Sequence, residues 1–397
     1  MSNSSTESVG IRSRFDSILH SLQTNVDELN SAKLFGVWDH EFPKLLKNIV
    51  KNFRKDLEDN VFTLDSDEKD SALETMNHRL DYLVSQLDMI VNTLCKNSAL
   101  HEFVSFILRD LGVAKTIPYL ICIRQSPATF PILQTCEEIF RGPLYLQTNE
   151  YLKEYKKTYS DFSIIHVPSS VIQKKIYWSL IVHEIGHILY GHYHLAETFH
   201  ERMDVAQLHT QDGRNYFHGR EFVSDYIASL YCGPVFYESL KEFLGLYEVF
   251  PTGTISTHPY RDARLFFLQT YLKGIIDNPN TIDTKPVRDN HELVDYLDKI
   301  IEKTRSEVFK NKDNVYQKDE DKMKESVELL KHLIPFIGSP RILLNAYLHE
   351  NEEVRTTVQV KNKEENIIVI QNKIGRIIED SIRLSNMKRT FGIMVKA

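Results

Sequence analysis

Two histidines four residues apart, with a glutamate directly after the first, stand out in the segment Ile181-Val182-His183-Glu184-Ile185-Gly186-His187-Ile188-Leu189. On a helix, residues four apart share a face one turn from each other, so His183 and His187 can present two imidazoles to one metal ion. Glu184 projects beside them and can take a proton from a water activated by that ion. With 16 histidines in 397 residues, the pattern H-E-x-x-H is expected by chance only roughly 0.04 times in a chain of this kind. Leu180, Ile181, Val182, Ile185, Ile188 and Leu189 make the helix apolar nearly all round, which marks it as buried. Polar groups in such a setting need partners, and a metal supplies one. Gly186 costs a helix interior about 1 kcal/mol relative to alanine, so something must approach closely there.

A third ligand decides the subtype. In an H-E-x-x-H-x-x-G-x-x-H site it would be a histidine six residues after His187, with glycine three after it; those positions hold Tyr193 and Tyr190, and Gly191, His192 and His194 are out of register. A deformylase-like cysteine ligand fails too, since Cys122 and Cys136 lack a glycine-rich strand context. The better source is Gly219-Arg220-Glu221-Phe222-Val223-Ser224-Asp225-Tyr226-Ile227-Ala228-Ser229-Leu230-Tyr231, where Phe222, Val223, Ile227 and Leu230 form one helix face and Glu221 and Asp225 another. Glu221, expected at the start of this second helix, can complete the protein ligands and leave a fourth position to water. Asp225, one turn on, can accept a hydrogen bond from a ligating imidazole and fix its tautomer.

These two motifs together resemble the gluzincin class of zinc metallopeptidases. Further on, Ser256-Thr257-His258-Pro259-Tyr260-Arg261-Asp262-Ala263-Arg264 is similar to the S-T-H-P segment, with an arginine six residues after its histidine, of the HtpX-like and CAAX-prenyl-protease peptidases and their soluble relatives. The resemblance spans roughly residues 160–270. It implies a zincin-like core, with Zn2+ held by His183, His187 and Glu221, Glu184 as general base, and Asp225 orienting His183. It also implies that His258 borders the cleft and helps stabilise the oxyanion, Tyr260 being a weaker donor, and that Arg264 anchors that segment. The best-known members span membranes; this chain has no such span, so no membrane function is implied.

The expected chemistry is zinc-dependent hydrolysis of a peptide or protein substrate, the work of a metalloendopeptidase. Two other classes use the same residues: a zinc hydrolase acting on a non-peptide amide, and a catalytically silent zinc-binding regulatory or interaction protein. A closed shell, with His192 or His218 in the fourth place, would favour the last.

The elements that must position these residues read as mainly α with a small mixed β-sheet. Residues 1–115 form an N-terminal helical region, with Ile11, Phe15, Ile18, Leu22, Val26 and Leu29, then Phe42, Leu45, Ile49, Phe53 and Leu57, at helical spacing. Leu73, Met76, Leu80, Leu83, Leu87, Ile90 and Leu94 alternate spacings of three and four, which suits either a long helix inside its own bundle or a helix for self-association or partner binding. Residues 116–276 form the metallopeptidase-like core. In it Tyr119–Ile123, Leu144–Leu146 and Phe162–Val167 read as strands between Pro127, Pro131, Gly142 and Pro143. The last of these precedes the histidine helix and suits an edge strand that pairs with an extended substrate. Pro168-Ser169-Ser170 reads as the N-cap of a proline-free run from Val171 through Tyr190. Residues 277–397, after a linker at Asp277-Asn278-Pro279-Asn280, form a C-terminal helical region. It has helix over 291–335, broken by the charge run Lys310–Lys324, and a last helix marked by Ile367, Ile370, Ile374, Ile377 and Ile382.

Composition sets the outer bounds. Hydrophobic residues at 42% and charged ones at 26% make a globular chain with ample core. The net charge of −7 argues against nucleic acid as a partner, because phosphate binding needs excess positive charge. No apolar run approaches the roughly 18 residues that a bilayer span requires. The start Met-Ser-Asn-Ser-Ser-Thr-Glu-Ser shows no secretory signal, and Cys95, Cys122, Cys136 and Cys232 form no C-x-x-C pair, so reduced thiols in a cytoplasmic protein are expected.

Overall fold

A computed structural model describes residues 4–31, 41–96, 98–124, 128–159, 162–195, 211–247, 259, 261–272, 275, 291–310, 315–362 and 365–391. The chain is mainly α-helical with one small β-sheet, and its contacts divide it into two compact units: Met1–His101 with Val113–His166, and Glu102–Gly112 with Val167–Ala397.

In the first unit, helices α1 (Ser4–Ser31), α2 (Glu41–Asp56) and α3 (Ser66–Lys96) pack together. The heptad stripe of α3 is spent there: Leu73, Met76, Leu80, Leu83, Leu87 and Ile90 are all buried in the same core as Phe42, Phe53 and Val26. That apolar face therefore packs within the unit's own core. Helix α4 (Ser98–Asp110) follows, its last nine residues counted with the second unit.

The sheet holds β1 (Tyr119–Arg124), β2 (Ala128–Pro131) and β3 (Ser163–Pro168) in the order β1-β3-β2. β2 and β3 run antiparallel, with Ala128 opposite His166 and Pro131 opposite Ser163. β3 is thus the central strand, with a neighbour on each side, and the expectation that Phe162–Val167 is an edge strand open to substrate is corrected. Strand order is a non-local property that an apolar run does not reveal. Leu144–Leu146 is not a strand either. Gly142, at φ 131°, turns the chain, Pro143 opens a short 3-10 turn over Pro143–Tyr145, and Leu146 begins α6 (Leu146–Thr158), after α5 (Ile132–Ile139). Asp56 locks that start in place, accepting from Gln147 N and from Thr148 N and Oγ at 2.7–2.9 Å.

In the second unit the chain enters α7 (Ser169–Gln173), kinks at Lys174 (ψ 100°), takes a 3-10 turn over Lys175–Trp178 and only then begins α8 (Ser179–His192). The expected continuous helix from Val171 is broken, and Trp178 rather than the serine pair precedes the histidine helix. No proline or glycine announces the break. There the Lys175 ammonium donates to Ile172 O and pairs with the Glu379 carboxylate far along the chain. Helix α9 (Gln211–Cys232) packs on α8, and α10 (Pro234–Tyr247) and α11 (Arg261–Tyr271) pack beside them. Glu221 therefore lies in the middle of its helix, not at its start.

Helices α12 (His291–Glu307), α13 (Glu320–Lys331), α14 (Pro340–Lys361) and α15 (Ile367–Phe391) complete the unit. α12 braces the two site helices: Lys303 Nζ donates to His194 O at 2.7 Å, and Arg305 donates to the Tyr226 hydroxyl. From α14, Asn345 donates to Cys232 O at 2.6 Å and accepts from Val235 N at 3.0 Å, which pins the α9–α10 corner. The buried stripe of α15 is Ile370, Ile374, Ile378 and Ile382; Ile367 is exposed and Ile377 half-buried. Cys122, Cys136 and Cys232 are all buried. The linker 277–280 and the side chains of Leu94 and Cys95 lie outside the described residues. Among those described, no helix is long and apolar enough to cross a membrane.

Candidate metal centre

The helical run Ser179–His192 buries every residue from Ile181 to Tyr190. Its polar members can be there only because a second buried helix meets them. That helix is α9, whose apolar residues Phe222, Val223, Ile227 and Leu230 are all buried. Between these sit Glu221, Ser224 and Asp225, spaced so that all three face α8. Gly186, with no side chain, lies against Ser224 and lets the two backbones approach.

The resulting geometry is dense. The His183 and His187 rings are 4.6 Å apart and nearly perpendicular. Glu221 lies across both of them, Oε2 3.3 Å from His183 Nε2 and Oε1 3.2 Å from His187 Nε2. Behind the rings, Asp225 Oδ1 is 2.8 Å from His183 Nδ1, and Ser224 Oγ is 2.9 Å from His187 Nδ1. Arg264, from α11, forks onto Asp225 with Nε at 2.6 Å from Oδ2 and Nη2 at 2.7 Å from Oδ1, while its Nη1 is 3.5 Å from Glu221 Oε2. The Phe236 ring, from α10, lies parallel to His183 at 6.5 Å.

Glu184, Glu221 and Asp225 bring three buried carboxylates to the two histidines, with Arg264 as the buried guanidinium among them. Burial opposes a charge on His183, yet Asp225 and Glu221 outweigh it and push its pKa up to about 9. Burial holds His187 below its ordinary value against the pull of Glu221. Burial would raise both carboxylates, but the histidines hold Glu221 well below the usual carboxylate range, and the Arg264 guanidinium, helped by His183, lowers Asp225.

A small divalent ion fits this donor set. Nitrogen and oxygen donors about 2.0–2.1 Å from one tetrahedral ion stand about 3.3 Å from each other. The separations of both Nε2 atoms from the Glu221 oxygens, 3.3 and 3.2 Å, match that spacing. Two carboxylates compete for the third ligand place, because Glu184 also brings an oxygen within 4.8 Å of the ligand atoms of both histidines. Glu221 spans both Nε2 atoms at 3.3 and 3.2 Å, and Glu184 stands in the same cluster as the two histidines.

His183, Glu184, His187, Glu221, Asp225 and Arg264 thus come together. Arg264 does more than steady its own segment, since it neutralises Asp225 directly. Ser224 was not singled out by sequence reasoning; its position three after Glu221 and one before Asp225 puts it on the same face, but a serine in a helix carries no ligand signature. His258 and Tyr260 lie outside the described residues. His192 is exposed against Tyr193, His218 is half-buried, and neither belongs to the group that could hold a metal. Comparison with models of known protein families, with curated proteins and with solved structures finds no match.

Proposed function

We propose that this chain is a zinc-dependent metallopeptidase, with zinc held by His183, His187 and Glu221. The observation that carries the reading is the convergence of both Nε2 atoms on one carboxylate, with a second carboxylate, Glu184, in the same cluster. An ion held by these three residues would supply a Lewis acid and lower the pKa of water toward ~7. Glu184 takes the proton as water attacks the carbonyl, then delivers it to the departing amine. Asp225, clamped by Arg264, keeps the proton of His183 on Nδ1 and its Nε2 lone pair toward the centre. Among the described residues, neither His192 nor His218 lies in the cluster of His183, Glu184 and His187. The peptide bond, rather than another amide, is chosen on the resemblance of the H-E-x-x-H, E-x-x-x-D and S-T-H-P segments to gluzincins.

Metal content and cleavage together test this. The purified protein should hold one zinc, and His187→Ala and Glu221→Ala should lose it. Glu184→Gln should keep the zinc and lose hydrolysis of a peptide mixture. Cleavage confined to non-peptide amides would move the assignment to the other hydrolase class. A wild-type protein with no zinc would remove the metal reading altogether.

A further inference from the structure

The two histidines are supported unequally, and the weaker support is the informative one. His183 Nδ1 faces a carboxylate that Arg264 grips by two hydrogen bonds. His187 Nδ1 faces the Ser224 hydroxyl, at 2.9 Å, with both residues buried. A carboxylate accepts and never donates when ionised, so it dictates one tautomer. A hydroxyl can do either. When Nε2 of His187 carries a proton toward Glu221, Ser224 can donate to Nδ1. When Nε2 must offer its lone pair, a neutral ring keeps its proton on Nδ1, and Ser224 is there to accept it.

We propose that Ser224 is the positioning residue for His187: its hydroxyl holds the Nδ1 proton and so directs the Nε2 lone pair into the metal centre. This rests on the metal reading above and extends it to a residue that neither the H-E-x-x-H pattern nor the Glu221/Asp225 pair contains. Three features of the structure bear on it. Ser224 is fully buried, and its hydroxyl lies within hydrogen-bond distance of the ring. The absence of a side chain at Gly186 lets α9 come close enough for so short a side chain to reach His187. Its neighbours in the same helix turn, Glu221 and Asp225, already face the two rings, so the hydroxyl adds to the second histidine what Asp225 gives to the first.

Supporting groups behind metal ligands typically cost 10–100-fold in metal affinity when removed. Ser224→Ala keeps the β-carbon that packs on Gly186 and deletes only the oxygen. Zinc affinity of the full chain, read by competition with a chromophoric chelator, should fall by about that factor. Ser229→Ala, a second buried serine of the same helix, should leave the affinity unchanged. Nitrogen NMR of the zinc-loaded wild-type protein, labelled at histidine, should show the His187 Nδ1 protonated and hydrogen-bonded, and Ser224→Ala should shift that resonance while sparing the one from His183. Wild-type affinity in Ser224→Ala would overturn the inference while leaving the zinc centre standing, and so would equal losses in the two serine variants or an unprotonated Nδ1. A wild-type chain that takes up no zinc would overturn the centre and this role with it.

Discussion

A β-carbon built on Gly186 would fall 2.8 Å from the Cα of Ser224 and 3.1 Å from its carbonyl oxygen, so the two site helices meet with no room for a side chain between them. Gly186→Ala should therefore destabilise the protein, although alanine favours a helix by about 1 kcal/mol. The obstacle is helix backbone, not the end of a flexible side chain, and overpacking of this kind costs about 1–3 kcal/mol or more. Pushing α9 away also carries Glu221 and Ser224 from the two rings. Denaturant unfolding should show a net loss of up to about 2 kcal/mol, and chelator competition should show weaker zinc binding. An unchanged or raised stability would mean that α9 yields more easily than this contact implies.

Arg264 and Asp225 form the second relationship on which the centre depends. Asp225 is fully buried, and removing one partner of a buried pair typically costs 3–5 kcal/mol because the other charge is left uncompensated. Arg264→Leu should lower stability by about 3 kcal/mol and weaken zinc binding, since a carboxylate no longer held in place orients His183 poorly. Arg264→Lys should recover only part of this, because an ammonium cannot form the two-pronged contact with both oxygens. Unfolding and zinc-competition measurements on the two variants check the order leucine, lysine, arginine.

What could be read from the residues alone depended on whether the deciding interaction was local. His183 and His187, like Glu221 and Asp225, declare themselves because a spacing of four puts both members of each pair on one helix face. The stripe Leu73–Ile90 declares a helix in the same way. The kink at Lys174 does not, since no proline or glycine marks it and the carboxylate that Lys175 meets there, Glu379, comes from α15. The central place of β3 was hidden for the same reason: an apolar run such as Phe162–Val167 looks alike at the edge or middle of a sheet, and only pairing with both β1 and β2 decides. Ser224 is a third kind of omission. Its hydroxyl matters because of one imidazole on another helix, and nothing in its own neighbours marks it apart from Ser229.

Metal removal offers a test independent of any substrate. A ligand that binds only the folded state stabilises it in proportion to the logarithm of its excess over Kd, about 4 kcal/mol at a thousandfold excess. Adding a strong chelator to the zinc-loaded protein should lower its melting temperature, and added zinc should restore it. The same chelator should leave His187→Ala where it was. Equal sensitivity in the variant would place the stabilising ion somewhere other than between α8 and α9.

Acid should weaken the first unit through a residue unrelated to the metal. His166 is buried in β3, and burial, with a smaller push from the Arg124 guanidinium, lowers its pKa to about 4. In the unfolded chain it titrates near ~6.5. As pH falls below that value the unfolded state takes up the proton while the folded state does not, so stability is lost progressively until the folded state also protonates near pH 4. Above about pH 7 the contribution is flat. His166→Phe keeps an apolar ring of similar size in the strand and removes the titrating group. Denaturation midpoints measured from pH 7.5 down to about 4.5 should fall more steeply for the wild type than for this variant. Parallel curves would show that His166 takes up its proton in the folded protein as readily as in the unfolded one, through water or a rearrangement that reaches the strand.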